Sequence, residues 1–125
     1  MTDIPVISII DDDASVRVAT NTLVRSLGYI AHTFASAEEF LQSSDVAETS
    51  CIVTDVQMPD MSGVDLQKHL IRKKLKLPII FITAFPEEKI RTEVMKAGAI
   101  GFLSKPFDGP ALALCIDAAL ASHAG

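Results

Sequence analysis

Asp11, Asp12, Asp13, Asp55, Thr83 and Lys105 are the residues whose types and positions can do chemistry together. Three adjacent carboxylates follow the apolar run from Val6 to Ile10, and Asp55 follows the apolar run from Cys51 to Thr54. A buried, unpaired carboxylate is costly, so acids closing apolar strands call for a cation or donors nearby. Mg²⁺ suits them: it is a hard octahedral ion that takes one or two carboxylates plus phosphate oxygens and keeps several waters. Such an ion offsets repulsion among the acids and keeps Asp55 ionised, hence nucleophilic. An aspartate oxygen can then take a phosphoryl group as an acyl phosphate. A transferring phosphoryl group carries charge on its equatorial oxygens, which a Lys105 ammonium and a Thr83 hydroxyl are suited to stabilise. The small Ala84 after Thr83 leaves room for that group to enter.

Each residue also has a plainer reading. Asp13 alone reads better as a helix N-cap or Asx turn than as a ligand. Thr83 can be strand punctuation, and a loop lysine such as Lys105 is normally solvated. Asp55 resists dismissal, because nothing in its own strand compensates its charge.

The elements that must position these residues follow from the apolar pattern. Five short runs read as strands: Val6 to Ile10, Tyr29 to Phe34, Cys51 to Thr54, Pro78 to Thr83 and Ala99 to Leu103. The stretches VISII, CIVT and IIFIT are nearly continuous, as suits strands covered on both faces of a parallel sheet. Helical spacing lies between them. Val16, Thr20, Leu23, Val24 and Leu27 mark the first helix, with Gly28 as its C-cap. Ser36 with Glu39 resembles a capping box opening a second helix that runs through Phe40 and Leu41 toward Val46. Val64, Leu66, Leu70 and Ile71 mark the third, and Pro86 with Glu87 and Glu88 the first turn of a fourth that ends near Lys96 and Gly98. Leu112, Cys115, Ile116, Ala119 and Leu120 give the fifth. Alternation of this kind predicts right-handed crossovers and a parallel α/β sheet with helices on both sides. In such sheets chemistry collects at the carboxyl ends of the strands. The candidate residues all sit there.

Bulk properties narrow the class. A chain of 125 residues with 49% hydrophobic and 22% charged content is one globular domain able to bury a core. A net charge of −5 argues against a bare DNA-binding surface. No apolar stretch approaches the roughly 18 residues needed to span a bilayer, and MTDIPV lacks the layout of a secretory signal. Cys51 and Cys115 occupy no metal-binding spacing and read as reduced core thiols, so the expected setting is the cytoplasm, with no membrane partner.

Four stretches together resemble the receiver domain of bacterial two-component response regulators, from about Val6 to Leu120: IIDDD, TDVQMPDMSG, FITA and KAGAIGFLSKPF. The second fits the D-x-x-M-P-x-x-x-G pattern through Asp55, Met58, Pro59 and Gly63. SAEEFL and MKAGAIGFLSKPF look most like the FixJ-type regulators. The resemblance implies a flavodoxin-like (βα)5 three-layer sandwich with strand order 2-1-3-4-5. It implies Asp55 as phosphoacceptor and as a metal ligand, Asp11 and Asp12 as the acidic pair organising Mg²⁺ (or Mn²⁺), and Gln57 as the residue lending its backbone carbonyl to the metal. Thr83 and Lys105 would contact the phosphoryl group, Phe102 would be the aromatic switch, and Pro106 would follow a cis peptide bond. Gly101 departs from the acidic residue common at its position. The implied partners are a sensor histidine kinase and, on phosphorylation, a second copy bound through the fourth helix, fifth strand and fifth helix. DNA would be reached only through an output domain not in this chain, with residues 121–125 as the stub of a linker. The chain would catalyse only its own phosphorylation and dephosphorylation.

Other classes fit less well. A phosphohydrolase of the haloacid-dehalogenase type needs an acid two residues after its nucleophile, where Gln57 stands. A flavin-binding module needs a hydroxyl- and glycine-rich phosphate loop after the first strand, where three acids would repel phosphate. A receiver unable to be phosphorylated would be missing site positions, and all are present.

Overall fold

Burial on both faces is what the continuous apolar runs buy in the sheet. In the computed structural model, which describes residues 3–124, every residue of β3 (Cys51–Asp55) and β4 (Ile79–Thr83) is buried. β1 (Val6–Ile10) is buried from Ile7 onward. The edge strands β2 (Ile30–Phe34) and β5 (Gly101–Ser104) keep partly exposed residues. All pairings are parallel, in the order β2-β1-β3-β4-β5. This is the expected flavodoxin-like arrangement.

Four α-helices make the crossovers, α1 (Ala14–Ser26), α2 (Ala37–Gln42), α3 (Gly63–Arg72) and α4 (Glu88–Lys96), and α5 (Gly109–Ala124) follows the last strand. Side chains alternate across each strand, so the sheet feeds two separate cores. Ile10, Phe34, Ile52 and Phe81 meet Phe40, Leu66, Leu70 and Val94 on one face. Ile7, Ile9, Val53, Ile80 and Ile82 meet Val24, Leu112 and Ile116 on the other. Each fully buried Ile or Leu contributes about 1.5–3 kcal/mol over leaving it in water, so the two layers supply the main force holding the strands in register.

Several local expectations are revised. α2 stops at Gln42, and a 3₁₀ segment (Ser44–Glu48) follows it, so Val46 is not part of α2. The Ser43 and Thr49 hydroxyls bond the backbone there and compete with continued α-helix. Ser36 Oγ accepts from Glu39 N, but the Glu39 carboxylate reaches Ala35 N, one residue outside a reciprocal box. Pro86 lies before α4, whose N-cap is Glu87, and no side chain caps that end. Gly28 does take the left-handed conformation that ends α1, at φ +95°. Gly101 has a packing reason: a Cβ there would stand 2.7 Å from Cys115 Sγ. Of the expected linker stub, α5 runs on through Ala124, and Gly125 lies outside the described residues.

Candidate functional site

The parallel sheet brings the carboxyl ends of β1, β3, β4 and β5 to one rim. There the acids sort by burial. Asp11 is 0% and Asp55 6% exposed, whereas Asp12 and Asp13 face solvent. Asp13 caps α1, accepting from Ser15 N at 2.9 Å and Val16 N at 3.3 Å. Its own N–H donates to Asp11 Oδ1 at 2.9 Å, which fixes the Asp11 carboxylate. Asp11 is thus buried at the rim while Asp13 caps the helix.

Lys105 joins the two buried acids. Its Nζ lies 2.9 Å from Asp11 Oδ2 and 3.4 Å from Asp55 Oδ2. The peptide bond to Pro106 is cis, as expected. Burial, then the neighbouring Asp11 charge, hold the Asp55 carboxyl above the ordinary carboxylate value, against the pull of Lys105. Burial draws the Lys105 ammonium down, but the two acids more than offset this and leave it above its ordinary value. The partners are therefore not mirror images. The Lys105 ammonium has two carboxylates beside it, whereas the Asp55 carboxylate is compensated only in part.

That shortfall bears on metal binding. Among the described residues, the buried Asp11 Oδ2 has Lys105 Nζ as its one polar partner. Asp11, Asp12 and Asp55 each offer an oxygen, all within 4.8 Å of one another. An all-oxygen set whose two buried acids share a single ammonium fits a hard divalent cation such as Mg²⁺. Gln57 is exposed, and its N–H donates to Asp55 Oδ1 at 3.4 Å.

The remaining candidates surround this centre. Thr83 is 1% exposed, and its Oγ1 accepts from Phe85 N at 3.0 Å, which holds it within its own loop. Phe102 is half-buried and packs on the core beneath α2, α3 and α4. Two backbone contacts support this centre, one of them from a residue outside the motif. Arg17, from the first turn of α1, donates through Nη1 to the Asp11 carbonyl at 2.7 Å. Gly63 presses the start of α3 so close to β3 that a Cβ there would overlap the Asp55 carbonyl oxygen. Its N–H donates to Val56 O at 2.8 Å, closing the loop that carries Met58 and Pro59. The glycine of the D-x-x-M-P-x-x-x-G pattern is thus a packing requirement.

Comparisons with known proteins point the same way. The family model for the response regulator receiver domain matches residues 7–117. Nodulation protein W of Bradyrhizobium diazoefficiens is 43% identical over 102 residues, covering 82% of this chain and 45% of that protein. Response regulator protein TodT of Pseudomonas putida is 41% identical over 115 residues, covering 92% of this chain and 51% of its own length. The chain spans about half the length of the curated relatives it matches. The crystal structure of FixJ-N superposes with a TM-score of 0.85 at 34% identity, over 97% of this chain and 96% of that one. Fold, rim and sequence agree, and the chain belongs to the response regulator receiver domain family, whose members are phosphorylation-dependent switches of two-component signalling.

Proposed function

We propose that Asp55 accepts a phosphoryl group from the phosphohistidine of a sensor kinase. The observation that carries this is the bridge from Lys105 Nζ to both Asp11 Oδ2 and Asp55 Oδ2. It holds the Asp55 carboxylate at the rim, with a cation beside the oxygen that would attack. In the transfer an Asp55 oxygen bonds phosphorus, the phosphorus–nitrogen bond breaks, and the imidazole departs. Lys105 then pairs with a phosphoryl oxygen in place of the carboxylate it leaves. Asp11, Asp12, Asp55 and the Gln57 carbonyl would hold Mg²⁺, or Mn²⁺ in its stead. Bound there, the ion supplies positive charge that offsets the acids and the developing negative charge on the phosphoryl oxygens.

Thr83 links this event to the surface. Its hydroxyl accepts one backbone N–H and retains an uncommitted proton. Turning toward a phosphoryl oxygen would draw it off Phe85 N and move the loop before α4. α4 is thinly anchored: Val94 is its buried side chain, and Gln67 Nε2 bonds the Val94 carbonyl at 3.0 Å. Phe102 would follow Thr83 inward. The changed surface of α4, β5 and α5 would favour a second copy or release an output domain. A DNA-binding output and transcriptional control are the reading favoured by relatives titled transcriptional regulatory proteins, FixJ and TdiR. The chain is then a single receiver rather than a metabolic enzyme, modifying only itself. It would work in the cytoplasm beside its kinase. Among the described residues, no helix is long and apolar enough to cross a membrane.

Acetyl phosphate with Mg²⁺ tests the assignment. Labelling of the natural sequence and none of Asp55→Asn is expected. Undiminished labelling of that variant would remove Asp55 from the role.

A further inference from the structure

A second group of metal-ligating side chains lies away from the rim, on the face of the sheet covered by α2 and the 3₁₀ segment. His32 stands in the middle of β2, paired in register with Ser8. It shares the face of Phe34, two residues on, which packs edge-to-face on Phe40 of α2 with centroids 5.3 Å apart. Asp45 and Glu48 sit three apart in the 3₁₀ segment, where side chains at i and i+3 eclipse and form one ridge. One ligand atom from each of His32, Asp45 and Glu48 lies within 4.8 Å of the others. Among the described residues, no hydrogen bond or ion pair engages these side chains, so their ligand atoms are uncommitted.

The frame around them is fixed. Asp45 N–H donates to Ser43 Oγ at 3.2 Å, and its carbonyl accepts from Thr49 Oγ1 at 2.7 Å. Thr49 Oγ1 meets Ser8 Oγ at 2.7 Å in full burial, which ties the segment to β1 beside His32. The carboxylate ridge therefore cannot drift along the sheet, and little ordering remains for a ligand to impose.

We propose that His32, Asp45 and Glu48 bind a divalent transition metal of the Zn²⁺ class. One imidazole nitrogen and two carboxylates make a three-ligand set with further positions open to water, the pattern of an open zinc site. The imidazole separates this site from the all-oxygen rim, because nitrogen donors suit Zn²⁺ and Co²⁺ while oxygen sets suit Mg²⁺. Bound metal would staple the edge strand β2 to the segment leading into β3, stabilising the fold by mass action.

The probe is Zn²⁺ titrated into the natural sequence with Mg²⁺ in large excess, so that the rim is occupied. One equivalent of Zn²⁺ is expected to bind, shifting the His32 ring resonances and raising the melting temperature. His32→Gln should weaken binding by roughly tenfold or more, about 1.4 kcal/mol. Glu48 is exposed, so Glu48→Gln leaves the fold intact and should weaken Zn²⁺ binding while acetyl phosphate labelling is unchanged. Zn²⁺ bound equally well by Glu48→Gln, unmoved His32 resonances, or no Zn²⁺ bound under excess Mg²⁺ would each overturn the site.

Discussion

Two buried threonines do opposite things with the same hydroxyl. Thr49, at the end of the 3₁₀ segment before β3, donates to the Asp45 carbonyl at 2.7 Å and meets Ser8 Oγ at 2.7 Å. Thr83, at the rim, is as buried but only accepts the Phe85 N–H at 3.0 Å. Where hydrogen bonding is complete the group is a fixture. Where it is incomplete, the group can change partners. The acids divide the same way, since Asp13 is committed to the α1 cap while Asp11 and Asp55 share one ammonium. Function in this domain collects where buried polar groups are only partly satisfied.

Variants can break or sharpen that contrast. The largest effect belongs to Asp55→Asn, which should take acetyl phosphate labelling to background while raising the melting temperature in EDTA by a few degrees. The sign follows from the raised Asp55 carboxyl. A group whose folded pKa lies above its unfolded value opposes folding once ionised, a penalty that grows as pH rises from the unfolded pKa through the folded one. A drop in melting temperature would show the rim to be built for stability. Next, Thr49→Val removes a donor and leaves Ser8 Oγ buried beside a methyl group, a cost of about 1–3 kcal/mol in urea unfolding with labelling retained. Asp13→Ala loses a two-bond cap and should cost about 1 kcal/mol, again with labelling retained; lost labelling would return Asp13 to the metal site. The smallest stability change is expected for Thr83→Ala, below about 1 kcal/mol, since one hydrogen bond to an exposed loop is lost. That variant should still be labelled, yet its loop amide resonances should no longer respond. A cost equal to that of Thr49→Val would erase the distinction between the two threonines.

Strands and strand ends were legible because burial on both faces leaves a run such as IIFIT unmistakable, and because each candidate acid, hydroxyl and lysine follows such a run. The convergence of Asp11, Asp55 and Lys105 followed from sheet topology alone. Contacts made at a distance were not legible. Nothing in the spacing of Arg17 says that its guanidinium returns to the Asp11 carbonyl, and nothing in VISII marks Ser8 as the partner of Thr49. The 3₁₀ segment escaped notice because Val46 keeps helical spacing while neighbouring hydroxyls redirect the backbone. Gly101 looked like a departure until Cys115 of α5 was found against it.

The ring of Phe85 is 70% exposed, while its amide holds the Thr83 hydroxyl. The chain has no tryptophan and a single tyrosine, Tyr29. An indole placed at position 85 would therefore be the lone strong emitter in the molecule, mounted on the amide that must let go when Thr83 turns. The fold thus supplies a dark background and a movable mount for a stopped-flow clock, one able to time the loop separately from the arrival of phosphate.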